Sequence, residues 1–145
     1  MKKLSSNMED YLEAIALLKR EKGVARVNDI GRFLRVKNSS VSAALNTLSK
    51  KKHVVHERYG YVELTTEGQK LASGVQKRHD ILLKFLCGIL KIDPEVARVD
   101  ACKMEHAISQ ETLDKLIKFS ERAESCPGYR QRTKHNEEKK GKAKR

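Results

Sequence analysis

The run Cys102-Lys103-Met104-Glu105-His106 places a thiol, a carboxylate and an imidazole within five residues. On an α-helix, positions i, i+3 and i+4 share a face, so the heads of Cys102, Glu105 and His106 converge on one point. Convergent donors of mixed softness suit a borderline divalent ion such as Fe(II), Mn(II), Co(II), Ni(II) or Zn(II). Glu and His are also ordinary surface residues and a free Cys is commonly core, so the trio alone leaves a purely structural role open. Two features favour the metal. His79 falls on the preceding long helix, where antiparallel packing would bring it opposite, and Asp10 with Glu13 forms a second acidic pair on a helical face. Cys102 and His106 also have the residue types of a nucleophile and its base. No oxyanion donor or Gly-rich loop accompanies them, so no enzyme is expected.

The elements that must position these groups follow from periodicity. Met8, Tyr11, Leu12, Ile15 and Leu18 recur at helical spacing and predict a helix from Met8 to Lys22, stopped by Gly23; Asp10, Glu13 and Leu17 lie off that apolar stripe. "VNDIGRFLRVKNSSVSAALNTLSKKKHVV" reads as two short helices with a tight break near Val36–Asn38, and Asn38 is the expected N-cap of a second helix running from Ser39 to about Lys51. Val41, Ala44, Leu45 and Leu48 turn inward. The opposite face carries Ser39, Ser42, Ala43, Asn46 and Lys50, small groups followed by a base, which let a recognition helix lie close in a DNA major groove. "VVHERYGYVEL" predicts a β-hairpin with a basic tip at Arg58–Gly60. Thr66 with Gln69 has the spacing of a capping box for the next helix.

That long helix, Gln69 to Leu90, is apolar on more than one face through Leu82, Phe85, Leu86 and Ile89, with Ile81 and Leu90 widening the stripe. Homodimerisation through it is the economical expectation. Asp93 and Pro94 start the helix bearing Cys102, Glu105 and His106. Ser109 starts a last helix to about Ala123. The fold class is therefore mainly α with a small β-hairpin: a winged helix-turn-helix over 1–72, a helical metal-binding and dimerisation domain over 73–126, and a basic tail over 127–145 expected to be disordered.

A chain of 145 residues with 39% hydrophobic and 34% charged residues is sized for one ordinary core or two small lobes. No apolar run approaches a membrane span, and "MKKLSSNMED" lacks the apolar core of a signal peptide, so the cytoplasm is the expected compartment. Three cysteines make no disulfide framework. The net charge of +12 implies an anionic partner such as nucleic acid. From Arg130 onward eight Lys/Arg face two Glu, so the tail carries half of that excess.

"SSNMEDYLEAI", "VNDIGRFLRVKNSSVSAALNTL", "VELTTEGQKLA", "KRHDILLKFL" and "ACKMEHAIS" resemble, in order, the metal-dependent repressors of the diphtheria toxin repressor and manganese transport regulator family, over roughly residues 5–124. The resemblance implies a winged-helix DNA-binding domain, a helical dimerisation domain, and a metal site between them that turns on binding of the dimer to a palindromic operator in double-stranded DNA. It assigns that site to Asp10, Glu13, His79, Cys102, Glu105 and His106. Iron-type members have Met at the position of Asp10, and manganese-type members have Glu at that of Cys102; this chain mixes the two, so Fe(II) or Mn(II) is the expected cofactor. The iron branch's additional metal site uses positions that here hold Leu83 and Arg98, which leaves His79 to the main cluster. The short, manganese-type architecture is expected. For DNA, base edges fall to Ser39, Ser42, Ala43 and Asn46, and phosphates to Arg26, Ser40, Lys50 and Arg58. A winged-helix regulator that ignores metal is the competing reading.

Overall fold

Tyr11, Leu12, Ile15 and Leu18 are buried along one face of α1 (Ser6–Lys22), the first element of the computed structural model, which describes residues 4–56 and 60–125. Gly23 ends α1 with φ 79°, a left-handed conformation that costs glycine nothing. The chain forms two compact units that divide after Arg78. In the first, α1 is followed by β1 (Ala25–Arg26), α2 (Val27–Leu34), α3 (Asn38–Lys50), β2 (Val54–His56), β3 (Tyr61–Leu64) and the start of α4 (Thr66–Lys84). Its core joins the α1 stripe to Ile30 of α2 and to Val41, Ala44, Leu45 and Leu48 of α3, the inward face expected from the 3.6-residue period. Burial, and after it the neighbouring Asp10 carboxylate, holds the Tyr11 phenol above its ordinary pKa. Buried Glu9 accepts a hydrogen bond from Arg78 Nη2 at 3.1 Å, tying α1 to the first part of α4.

Three details differ from the sequence expectation. The hairpin is the larger part of a three-stranded antiparallel sheet ordered β1-β3-β2, with Ala25 opposite Val62 and Val55 opposite Glu63. β1 is only two residues long, too short to show a period-two pattern. Asn38 does not cap α3: its side chain donates to Asn28 on α2, and Lys37 stands at the N-cap without a side-chain hydrogen bond. Gly31 leaves room for that bond, since a Cβ there would stand 2.8 Å from Asn38 Oδ1. The cap of α4 is Thr65, whose Oγ1 accepts the Gly68 N–H at 3.1 Å, while Gln69 bonds Ser73 instead of reaching back. The rest of the wing tip, with Arg58, and the basic tail over 127–145 lie outside the described residues.

The second unit takes α4 from His79 onward, a π-helical turn (Phe85–Ile89), α5 (Pro94–Met104) and α6 (Gln110–Ser125). Asp93 caps α5, accepting the Glu95 N–H at 3.0 Å, and Pro94 occupies the first turn as expected. Ser109 Oγ accepts the Thr112 N–H at the start of α6. Leu82, Leu86, Ala97, Ala101 and Leu113 are buried together, and Phe85 meets Phe119 edge-on at 6.2 Å. The broad apolar stripe expected to need a second copy is thus partly covered inside its own unit, through Leu82 and Leu86. Leu90, Val96, Val99 and Phe119 remain exposed instead.

Two stability effects follow. A Cβ at Gly68 would run into the His53 carbonyl, whereas one at Gly74, on the same helix, would meet nothing within 4 Å. Gly68→Ala should cost about 1–3 kcal/mol by urea unfolding, and Gly74→Ala should stabilise by up to about 1 kcal/mol. The stability that neutral Tyr11 contributes is full below its ordinary pKa and is lost as pH rises through the raised folded value. Tyr11→Phe should therefore flatten the alkaline limb of the stability curve.

Candidate metal centre and nucleic-acid interface

Ala97 and Ala101, four apart and fully buried, seat α5 in the core that Leu82 and Leu86 share. The helix ends at Met104, one residue short of the carboxylate. Glu105 is its C-cap, yet it keeps helical angles (φ −59°, ψ −29°) and donates its N–H to Ala101 O at 3.0 Å, so Cys102 and Glu105 hold the i, i+3 relation. His106 follows in a turn closed by Ala107 and Ile108 N–H groups on Met104 O. From α4, His79 Nδ1 stands 2.7 Å from Glu105 Oε2 and 3.7 Å from Cys102 Sγ. His106 Nε2 lies 3.4 Å from the other Glu105 oxygen. One donor atom each from His79, Cys102 and Glu105 lies within 4.8 Å of the other two.

Glu105 is 2% exposed and sits at the negative end of a helix, where burying an anion is costly unless positive charge is held against it. Two imidazoles provide that only when protonated. A divalent ion would provide it with both rings neutral, and carboxylate, imidazole and thiolate donors are the set a borderline ion takes. The residues present therefore fit a transition metal. Leu83 packs in the core and Arg98 pairs with Glu95, so neither offers a donor for a second site. Asp10 and Glu13 lie three apart on α1 in the first unit, both half-buried.

On α3, Ser39, Ser42, Ala43, Asn46 and Lys50 are all exposed and fall along one face, with Ser40 exposed to one side. Apart from Lys50 at the far end, these side chains are small, so a helix bearing them can approach base edges closely. Arg26 is exposed but engaged: its guanidinium lies 5.1 Å from the Tyr61 ring centroid and donates to the Tyr61 hydroxyl at 3.2 Å. That contact fixes the cation at the base of the wing.

Residues 3–62 match the N-terminal DNA binding domain of the iron dependent repressors, and residues 65–134 match their metal binding and dimerisation domain. The HTH-type transcriptional regulator MntR of Bacillus velezensis is 37% identical over 122 residues, which cover 82% of this chain and 85% of that one. Among solved structures, IdeR of T. acidophilum is similar with a TM-score of 0.70 at 28% identity, and the manganese regulator SloR with 0.71 at 26%. Both similarities cover 81% of this chain and 55% of the other, so the chain spans about half the length of those two regulators.

The cluster predicts a metal-binding phenotype. Glu105→Gln keeps the shape but removes the anion, and should weaken Mn(II) or Co(II) binding in anaerobic calorimetry by more than the roughly 10–100-fold typical of outer-shell changes. Cys102→Ser should abolish thiolate-to-Co(II) charge-transfer absorption while Co(II) still binds.

Proposed function

The chain belongs to the iron-dependent repressor family, which is a family of transcriptional regulators and not of enzymes, and on that premise we propose that it represses transcription by binding a palindromic operator as a homodimer when Fe(II) or Mn(II) is bound. The observation that carries this reading is buried Glu105 held among His79, Cys102 and His106, within the segment matched as metal-binding. Asp10 and Glu13 complete the ligand set from the DNA-binding domain.

Each group then has a task. Glu105 and the two imidazoles hold the ion to the dimerisation domain, and Cys102 adds a soft donor. Asp10 and Glu13 add hard oxygens from α1, whose buried face is continuous with the core that supports α3. The ion supplies the positive charge that lets these carboxylates approach; without it they repel, and the two domains lose their fixed relation. In a two-fold dimer the recognition helices must stand about 34–36 Å apart to enter successive major grooves. Fixing the domains selects that spacing. The coupling is reciprocal, so operator binding tightens metal binding by the same factor. Asp10 favours Mn(II) and Cys102 favours Fe(II), and the chain carries both. Val96 and Val99, one turn apart and exposed on α5, support a surface that a second copy covers. The protein acts in the cytoplasm, where its DNA lies; no helix among the described residues is long and apolar enough to cross a membrane.

Asp10→Ala and Glu13→Ala test the coupling, since four ligands remain on the other domain. Each variant should still bind metal and still dimerise, but metal should no longer raise its affinity for operator DNA in anisotropy titrations. A normal metal response in both would refute the two-domain ligand set. Val96→Lys with Val99→Lys should shift sedimentation equilibrium from dimer to monomer.

A further inference from the structure

At the turn between α2 and α3 lies an open cleft of about 630 Å³, lined among others by Asn28, Arg32, Arg35, Val36, Lys37 and Asn38. Three of its lining residues are cations and none is an acid. We propose that this cleft seats a phosphate of the DNA backbone, with Arg32, Arg35 and Lys37 holding it beside the recognition helix; this rests on the DNA-binding reading of the first domain.

The charge pattern is the main argument. Three cations of the first unit are neutralised at short range, Lys19 by Glu63, Lys22 by Asp29 and Arg78 by Glu9, at 2.8, 3.1 and 3.1 Å, and none of the three lines the cleft. Asp29, the acid nearest in sequence, is thus already engaged. Arg32, Arg35 and Lys37 are all exposed and form no ion pair among the described residues. Three like charges within six residues repel one another, and a polyanion relieves that repulsion by releasing its counterions.

The backbone makes the same point. Arg35 has φ 55°, a conformation that Gly or Asn occupies at lower cost, so the turn retains a cation against its local preference. The turn is also braced. The Val36 N–H donates to Gly31 O at 2.9 Å, and the Asn38 amide donates to Asn28 across the two helices. Lys37 immediately precedes α3, so a helix lying in the major groove brings it alongside the flanking strand. Contacts of this kind set register and add affinity without reading bases. None of the three belongs to the phosphate set expected from sequence, Arg26, Ser40, Lys50 and Arg58.

The test uses the full Mn(II)-loaded chain and a fluorescein-labelled, mixed-sequence duplex three helical turns long, titrated across a KCl series. Arg32→Gln, Arg35→Gln and Lys37→Gln are made singly and together. Losing one seated phosphate should flatten the slope of log Kobs against log salt by about 0.9, so the triple variant should lose about that much per bound subunit and each single variant less. Thermal midpoints should not move, and Arg35→Lys should keep the wild-type slope. An unchanged slope in the triple variant overturns the proposal. So does an unchanged slope combined with lost binding of inorganic phosphate, which would make the cleft a small-anion site. If the wild type binds no duplex with metal present, the DNA-binding reading fails and takes this proposal with it. Wild-type binding with an unaffected triple variant refutes this proposal alone.

Discussion

A carboxylate buried at the negative end of a helix is the constraint on which the second domain is organised. Glu105 sits where α5 stops, and each of its oxygens meets a different imidazole, Oε2 that of His79 from α4 and Oε1 that of His106 from the turn. The packing that puts it there is apolar and local: Ala97 and Ala101 seat α5 in the core shared with Leu82 and Leu86, and Asp93 with Pro94 fixes where α5 begins. Moving α5 along its axis by one residue would turn the carboxylate by about 100° and break the cluster. The core is therefore what gives the donor set its geometry, and the donor set is what gives the buried charge a reason to be there.

The DNA-binding domain solves a different problem, which is to present a face free of bulk. Val41, Ala44, Leu45 and Leu48 anchor α3 from within, leaving serines, Ala43 and Asn46 outward. The sheet braces this arrangement, since the His53 carbonyl accepts the Thr65 N–H and lies against Gly68 at the start of α4. Under the ligand set proposed above, metal sensing needs no change inside either domain: the free energy of sharing one ion is spent on selecting a relation between them.

Much of this was legible in the residues, and the failures have identifiable causes. The inward face of α3 followed from its period, the start of α5 from Asp93-Pro94, and the grouping of Cys102 with Glu105 from helical spacing, even though the helix proper ends before Glu105. Asn38 has the residue type of an N-cap but lies one residue inside α3, with Lys37 at the cap position, and its Nδ2 donates to Asn28. The α4 cap lies one residue before Thr66, at the chemically equal Thr65, whose Oγ1 also donates to Lys52 O at 2.7 Å. β1 is too short to carry a pattern. The cations Arg32, Arg35 and Lys37 follow no helical or strand period in the sequence, and only the closeness of α2 and α3 at Gly31 gathers them around one cleft.

The central claim, that metal occupancy controls recognition of a specific DNA site, is tested most directly by anaerobic selection of short genomic fragments with the full chain in chelator, in Mn(II) and in Fe(II). The account predicts enrichment of a palindromic sequence only when metal is present, with the more effective ion showing whether the hard oxygens of Asp10 and Glu13 or the soft sulfur of Cys102 dominates selectivity. Equal enrichment of the same sequence in chelator would contradict it, and would make the protein a winged-helix regulator whose metal cluster is not its switch.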